Sequence, residues 1–328
     1  MTVRPLKPND RLPEFVLVAG RSAAQEAAAM REGLEEFSTA PQPGCPQLSD
    51  WAAWPQADDP QSQSRRDLLA MTHRQAHLIL VNAFDAVTSL GRLLGGDGAM
   101  PVFSHMTESR VACEAAVRFA WMIDPVVTSE ERVMRGAVGL LVSAEEQLKG
   151  LRRVPAGRFP REVLQRMIDN CSLESHRVEQ LIAAAGIRPA RSRDQQKIAR
   201  LELDSPRVSV PVKLDVTEKM AELLPDVPSF YNIGSGVVHS HYWMLRDVVA
   251  DKGASPELAV EPDLMQIGAA TVASIHASKL IIDRCARYYG HDASAHLSRS
   301  AQRLEAVDQR MRVLGMIKAA GWPAHQAS

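Results

Sequence analysis

The chain has 328 residues, 45% of them hydrophobic and 23% charged, so it can bury a sizeable core without disulfide or metal staples and is not a disordered polypeptide. Its 38 Lys+Arg against 39 Asp+Glu give a formal net charge of -1, which provides no overall footprint for nucleic acid or an anionic lipid surface. The cysteines Cys45, Cys113, Cys171 and Cys285 are far apart and form no CxxC pair, so they are expected to be reduced thiols of a cytoplasmic protein. The first residues, MTVRPLKPNDRLPEF, lack a signal-peptide core, and no stretch approaches the ~20 apolar residues of a membrane span. Neither export nor membrane insertion is therefore expected.

Residues 1–63 are expected to be an N-terminal arm with one short helix, Ser22 to Phe37, followed by a proline-rich linker from Thr39 to Gln63. That linker or surface arm is expected to hold no regular element and to be pinned by Trp51 and Trp54. From Ser64 the period becomes helical: Leu69, Thr72, Ala76, Ile79, Ala83, Val87, Leu90 and Leu94 recur every three or four residues up to Gly95-Gly96. A second long helix starts at Pro101 and stops before Pro125. A third opens on the capping pattern Thr128-x-x-Glu131, and a fourth runs from Pro160 to Gly186. Residues 188–215 break the period, and RVSVPVKLDV alternates like a hairpin or an extended arm. Helices resume at Thr217 to Leu224, Ser229 to Ala250, Asp263 to Tyr289 and Ser294 to Ala320. The expected architecture is all-α: a bundle of about eight helices over 64–320, with 188–215 as a partly extended insertion and 321–328 as a tail.

In the second long helix Arg110, Glu114, Arg118 and Trp121 are spaced four, four and three, so they share one face. Such a face is ordinarily solvated, yet it can also present a paired carboxylate to a pocket. The segment SFYNIGSGVVHSHYWMLRDVV places Tyr231, Ser235, His239 and Trp243 in a polar row inside an apolar helix that carries Gly234 and Gly236. A mid-helix glycine costs about 1 kcal/mol relative to alanine, so it signals close approach of a backbone or a ligand. His73 and His77 stand four apart, the spacing of a shared metal. Neither HExxH nor a pair of Glu-x-x-His helices accompanies them, so no metal is expected, and no cofactor can be named. His276, among Val272, Ala273 and Leu280, reads as a core histidine. Phosphate-binding glycine loops, a P-loop and a GxSxG elbow are absent from the sequence.

The segment ESRVACEAAVRFAWMIDPVVTSEERVMRG, followed downstream by YNIGSGVVHSHYWML, resembles a set of uncharacterised actinobacterial helical proteins. These pair an R-x-x-x-E helix ending in W-x-x-D-P with a Y-x-x-x-S-G-x-x-H helix, and are similar at a distance to HEPN-like domains. The resemblance covers roughly residues 70–250 and implies an α-helical fold without an activity. The matching positions are Arg110, Glu114, Trp121, Asp124, Arg132, Tyr231, Ser235 and His239. Ser240 stands where that pattern has glycine.

The expectation is one polar pocket that binds, and in an enzyme acts on, a small polar or anionic ligand. Glu114 and His239 would be the catalytic pair, and Arg110, Tyr231, Ser235, Trp121 and Trp243 would contact the ligand. The alternative is a non-catalytic scaffold or homodimer whose Trp51/Trp54 arm meets a partner. A HEPN-like ribonuclease of a defence or toxin system is a third reading, resting on analogy alone.

Overall fold

The computed structural model describes residues 14–54, 59–96, 102–155, 157–192, 197–204, 207–241, 249–250, 259–260 and 262–319. Among them the chain is mostly α-helical, as expected, but with ten helices where about eight were read from the sequence. In chain order these are α1 (Glu14–Thr39), α2 (Pro46–Ala53), α3 (Pro60–Gly95), α4 (Ser104–Met122), α5 (Ser129–Arg152) and α6 (Arg161–Ala184). Three strands follow, β1 (Arg188–Arg191), β2 (Ile198–Leu203) and β3 (Val208–Pro211), then α7 (Val216–Leu223) and α8 (Phe230–Val238). The paired strands β4 (Val249–Ala250) and β5 (Ala259–Val260) precede α9 (Leu264–Tyr289) and α10 (Ser294–Ala319).

The chain divides into two compact units that interleave in sequence, rather than one bundle beginning at residue 64. The first comprises residues up to 41, 79–120 and from 215 onward; the second comprises 42–78 and 121–214. α3 runs unbroken through the boundary at 78/79.

In the first unit α1 is core and not arm. Phe15, Val16, Ala19 and Ala23 of α1 pack with Leu90 and Leu94 of α3, Ile267 and Ile275 of α9, and Val307 of α10. α1 approaches α3 closely because the crossing is built from glycine and alanine. A Cβ on Gly20 would lie 2.8 Å from the backbone nitrogen of Gly95, and one on Gly91 would lie 2.9 Å from that of Ala24. α9 is buried on several sides and carries small residues there, including Gly268, Ala270, Ala273, Ser274, Ala277 and Ser278. Thr271 and Ser278 donate to the carbonyls of Ile267 and Ser274 one turn back, which satisfies hydroxyls no water reaches.

In the second unit the stretch expected to be irregular contains α2, with Pro46 in its first turn, and α3 itself begins at Pro60. Proline at that position loses no hydrogen bond and already has the helical φ, so proline density alone misjudged the segment. Trp54 is buried. Trp51 receives the Arg66 guanidinium 5.0 Å from its ring centroid and the edge of His73 at 5.4 Å, so both tryptophans serve their own unit. α5 starts on the anticipated cap, the Thr128 hydroxyl accepting from the Glu131 amide at 3.2 Å. The extended insertion is a three-stranded antiparallel sheet in the order β1-β2-β3. Leu201 sits opposite Val210 and Leu203 opposite Val208; Leu201, Leu203 and Val210 are buried, and β3 lies against α5.

By length and composition α3 and α9 are both apolar enough to cross a bilayer, contrary to the sequence expectation. Both helices reach their mean hydropathy with Ser, Thr and His interspersed among the apolar residues. Within the described structure 61% of the most apolar window of α9 is buried, against 33% for α3.

Replacing Gly91 by alanine should force α1 and α3 apart and lower stability by about 1–3 kcal/mol, despite alanine's better helix propensity. Thermal denaturation followed by circular dichroism measures it, and an unchanged or raised midpoint would contradict the close crossing.

Candidate functional site

α4 is seated on α9 by two hydrogen bonds into the α9 backbone: the Ser109 hydroxyl donates to the Ala270 carbonyl at 2.7 Å and the Cys113 thiol to that of Ala273 at 3.5 Å. Burial pushes the Cys113 thiol up to about 12, so it is a packing group and not a nucleophile. With Ser109 and Cys113 directed at α9, Arg110 and Glu114 fall on a neighbouring face of α4. The Arg110 guanidinium stacks 4.9 Å over the Tyr231 ring of α8, and its Nη2 donates to the Tyr231 hydroxyl at 3.3 Å. Glu114 accepts from Arg118 at 3.0 and 2.8 Å and stands 4.0 Å from Arg110.

The two motif helices of the first unit therefore meet through Arg110 and Tyr231. Gly234 explains itself here: a Cβ at that position would lie 2.9 Å from the Arg110 Cβ, so the glycine admits the arginine stem. The Arg110 side chain is 18% exposed, and its buried Nε has no hydrogen-bond partner among the described residues. Ser235 is half-buried one turn beyond Tyr231.

The remaining expectations fare differently. α8 ends at Val238 instead of continuing to Ala250, so His239 is its exposed C-cap residue, the amide still donating to the Ser235 carbonyl at 2.9 Å and the ring 6.0 Å from that of His241. Glu114 and His239 share no hydrogen bond or ion pair; the carboxylate is held by the two arginines. The break lies at Ser240, whose φ of 54° is left-handed. The Ser240 amide donates to the Val237 carbonyl at 2.9 Å and the His241 amide to that of Gly236 at 2.8 Å, the paired bonds of a Schellman terminus. Glycine is the favoured residue at this position, so Ser240 holds a backbone conformation that glycine would adopt without strain. Trp243 lies outside the described residues.

Trp121 and Asp124 belong to the second unit, where they build a structural clasp. Trp121 is buried under Arg135, whose guanidinium carbon lies 5.1 Å from its ring centroid. Arg132 donates to the carbonyls of Asp124 and Val127 and binds the Asp50 carboxylate of α2, Nη2 to Oδ1 at 2.6 Å. The Ser129 hydroxyl donates to the same oxygen at 2.6 Å. Asp50 is fully buried and Arg132 nearly so. The sequence reading missed Asp50 because it lay in the proline-rich stretch assigned to a linker. It also missed Glu26, buried in α1, which accepts from Ser300 at 2.7 Å and Arg303 at 2.6 Å. Burial outweighs these partners and raises its carboxyl above the usual range. The available signal was a carboxylate in register with Ala19, Ala23 and Met30.

His276 is half-buried, its Nδ1 3.3 Å from Asp226, rather than wholly in the core. His73 packs against Trp51 and His77 is exposed. Among the described residues no three His, Cys, Asp or Glu side chains cluster as a metal would require. No family model, curated protein or solved structure matches this chain.

Ser240→Gly should raise stability by about 1 kcal/mol by relieving the left-handed strain, read as a higher denaturation midpoint, and a lower midpoint would contradict the terminus described. Burial lowers the His73 imidazole, so its contribution is present above about pH 6.5 and is lost as pH falls through the depressed folded value. The melting midpoint should thus fall between about pH 7 and 5, and His73→Leu should reduce that slope. An unchanged slope in the variant would remove His73 as its source.

Proposed function

We propose that the first unit binds a small anion bearing a carboxylate or phosphate group, with Arg110 as the anchoring cation. The observation that carries this reading is the half-buried Arg110 guanidinium, fixed by Tyr231 and Gly234 while its Nε is left without a hydrogen-bond partner among the described residues. A donor placed this way costs free energy unless a ligand satisfies it, and arginine offers anions a planar, paired set of N–H groups. Arg118 adds a second cation against the single carboxylate of Glu114, so the trio carries a net positive charge. Glu114 acts as the spacer that orients both guanidinium groups. The hydroxyls of Tyr231 and Ser235 supply neutral donors for the rest of the ligand.

This is a binding function. The acid–base pairing of Glu114 with His239 loses its support, since the histidine is exposed at the end of α8 and unconnected to the carboxylate. The scaffold reading keeps independent support from a different surface, on α3.

Calorimetric titration of the full chain with inorganic phosphate and with acetate should give saturable binding with Kd on the order of 1 mM for one of them. Arg110→Ala should weaken it about tenfold or more, and Arg110→Lys should recover only part of that loss, because an ammonium cannot bond in a planar pair. Binding of neither anion, or equal binding by folded Arg110→Ala, would end this reading.

A further inference from the structure

The four fully charged side chains that α3 exposes are Asp67, Arg74, Asp85 and Arg92, and none of them makes an ion pair within the chain among the described residues. They lie on one stripe of the helix together with Leu78 and Val81, which are 62% and 50% exposed. The spacing is regular: Asp67, Arg74 and Val81 follow one another at seven residues, and so do Leu78, Asp85 and Arg92. Two interleaved sets at that interval form the seam of a coiled coil, and at 1.5 Å per residue the stripe runs about 37 Å along the helix.

The order of the charges is palindromic. Reading the stripe from either end, acid meets base at the same distance from a centre between Leu78 and Val81. If a second α3 is laid against the first in the opposite direction, Asp67 comes level with Arg92 of the other copy, Arg74 with Asp85, and Leu78 with Val81. A parallel arrangement would instead place each charge beside its own kind. We propose that this stripe is the contact between two copies of the chain, paired antiparallel through α3 about a two-fold axis between Leu78 and Val81.

A two-fold contact uses one patch on both partners, so the patch must be complementary to itself under inversion, and this one is in both charge and apolar content. A second observation points the same way. Asp85 lies near Glu108 of α4, which is raised above its usual range by burial first and by the charge of Asp85 second. Arg74 of a second copy would arrive at this pair of acids and relieve it. A lipid surface accounts for Leu78 and Val81 but not for the alternating charges, since it would set Asp67 and Asp85 against anionic headgroups.

Sedimentation velocity of the full chain between about 1 and 100 µM tests the pairing. The chain should be dimeric within that range. Arg74→Asp alone and Asp85→Arg alone should each raise the dissociation constant about tenfold or more, because each reversal breaks two symmetry-related pairs and creates two repulsions. The double variant R74D/D85R should return to within about threefold of the parent, because the exchanged charges again face each other in the antiparallel register. The three positions concerned, Arg74, Leu78 and Asp85, are exposed, so every variant should remain folded by circular dichroism, and Leu78→Glu should dissociate the dimer without unfolding the chain. A monomer at the highest concentration overturns the proposal. So does a dimer indifferent to these substitutions, a double variant no better than the single ones, or a monomer that floats with phosphatidylglycerol-containing vesicles through Leu78 and Val81.

Discussion

The first unit depends on how closely helices can approach α9. Its inward residues are mostly glycine, alanine, serine and threonine, so the neighbouring helices come near enough for Ser109 and Cys113 of α4 to reach the α9 carbonyls. Larger side chains on α9 would widen that gap and leave the two donors buried and unmatched, at about 1–3 kcal/mol for each neutral group. The hydrogen bonds fix both the depth and the rotation of α4. Arg110, one residue after Ser109, is thereby carried to α8, and Gly234 allows α8 to accept it. The candidate anion site is a consequence of small-residue packing two layers away.

The second unit solves a different problem with a charged group. Its α4–α5 connection turns sharply at Asp124-Pro125 and leaves backbone carbonyls facing inward. Arg132 collects two of them while holding the buried Asp50 of α2. A buried ion pair gives little net stability over apolar packing of similar volume, yet losing one partner strands the other charge at about 3–5 kcal/mol. The arrangement is thus a fastener whose value lies in fixing which segments meet. Asp124 and Trp121 are held at the same turn, the first by Arg132 and the second by Arg135.

Helix existence was legible from the sequence because the three- and four-residue spacing of apolar residues in α3, α5, α9 and α10 directly reflects which face is buried. The Thr128 cap and the Pro160 start were equally readable, since capping chemistry is local. Two kinds of feature were not. Helix α2 was hidden because proline was weighed as a breaker without regard to its position in the first turn. The end of α8 was hidden because His239, Ser240 and His241 continue a plausible helical pattern, and only the left-handed backbone at Ser240 interrupts it. That single dihedral ends the helix just after His239, whose amide still donates to the Ser235 carbonyl one turn back.

The site itself was half legible for the same reason. Spacing on one helix identifies residues that share a face, and it selected Arg110, Glu114 and Tyr231 correctly as members of one cluster. It cannot tell whether a carboxylate in that face will choose an arginine on its own helix or a histidine on another. Here the choice is set by reach: Arg118 lies one turn from Glu114 on a side chain long enough to bond it twice. Local pairing satisfied the acid, so the group left with an unmatched donor is Arg110, which faces Tyr231 instead of forming a close pair with Glu114. A cluster read as an acid–base pair from its residue types becomes, once partners are assigned, a cation held in place by an aromatic ring.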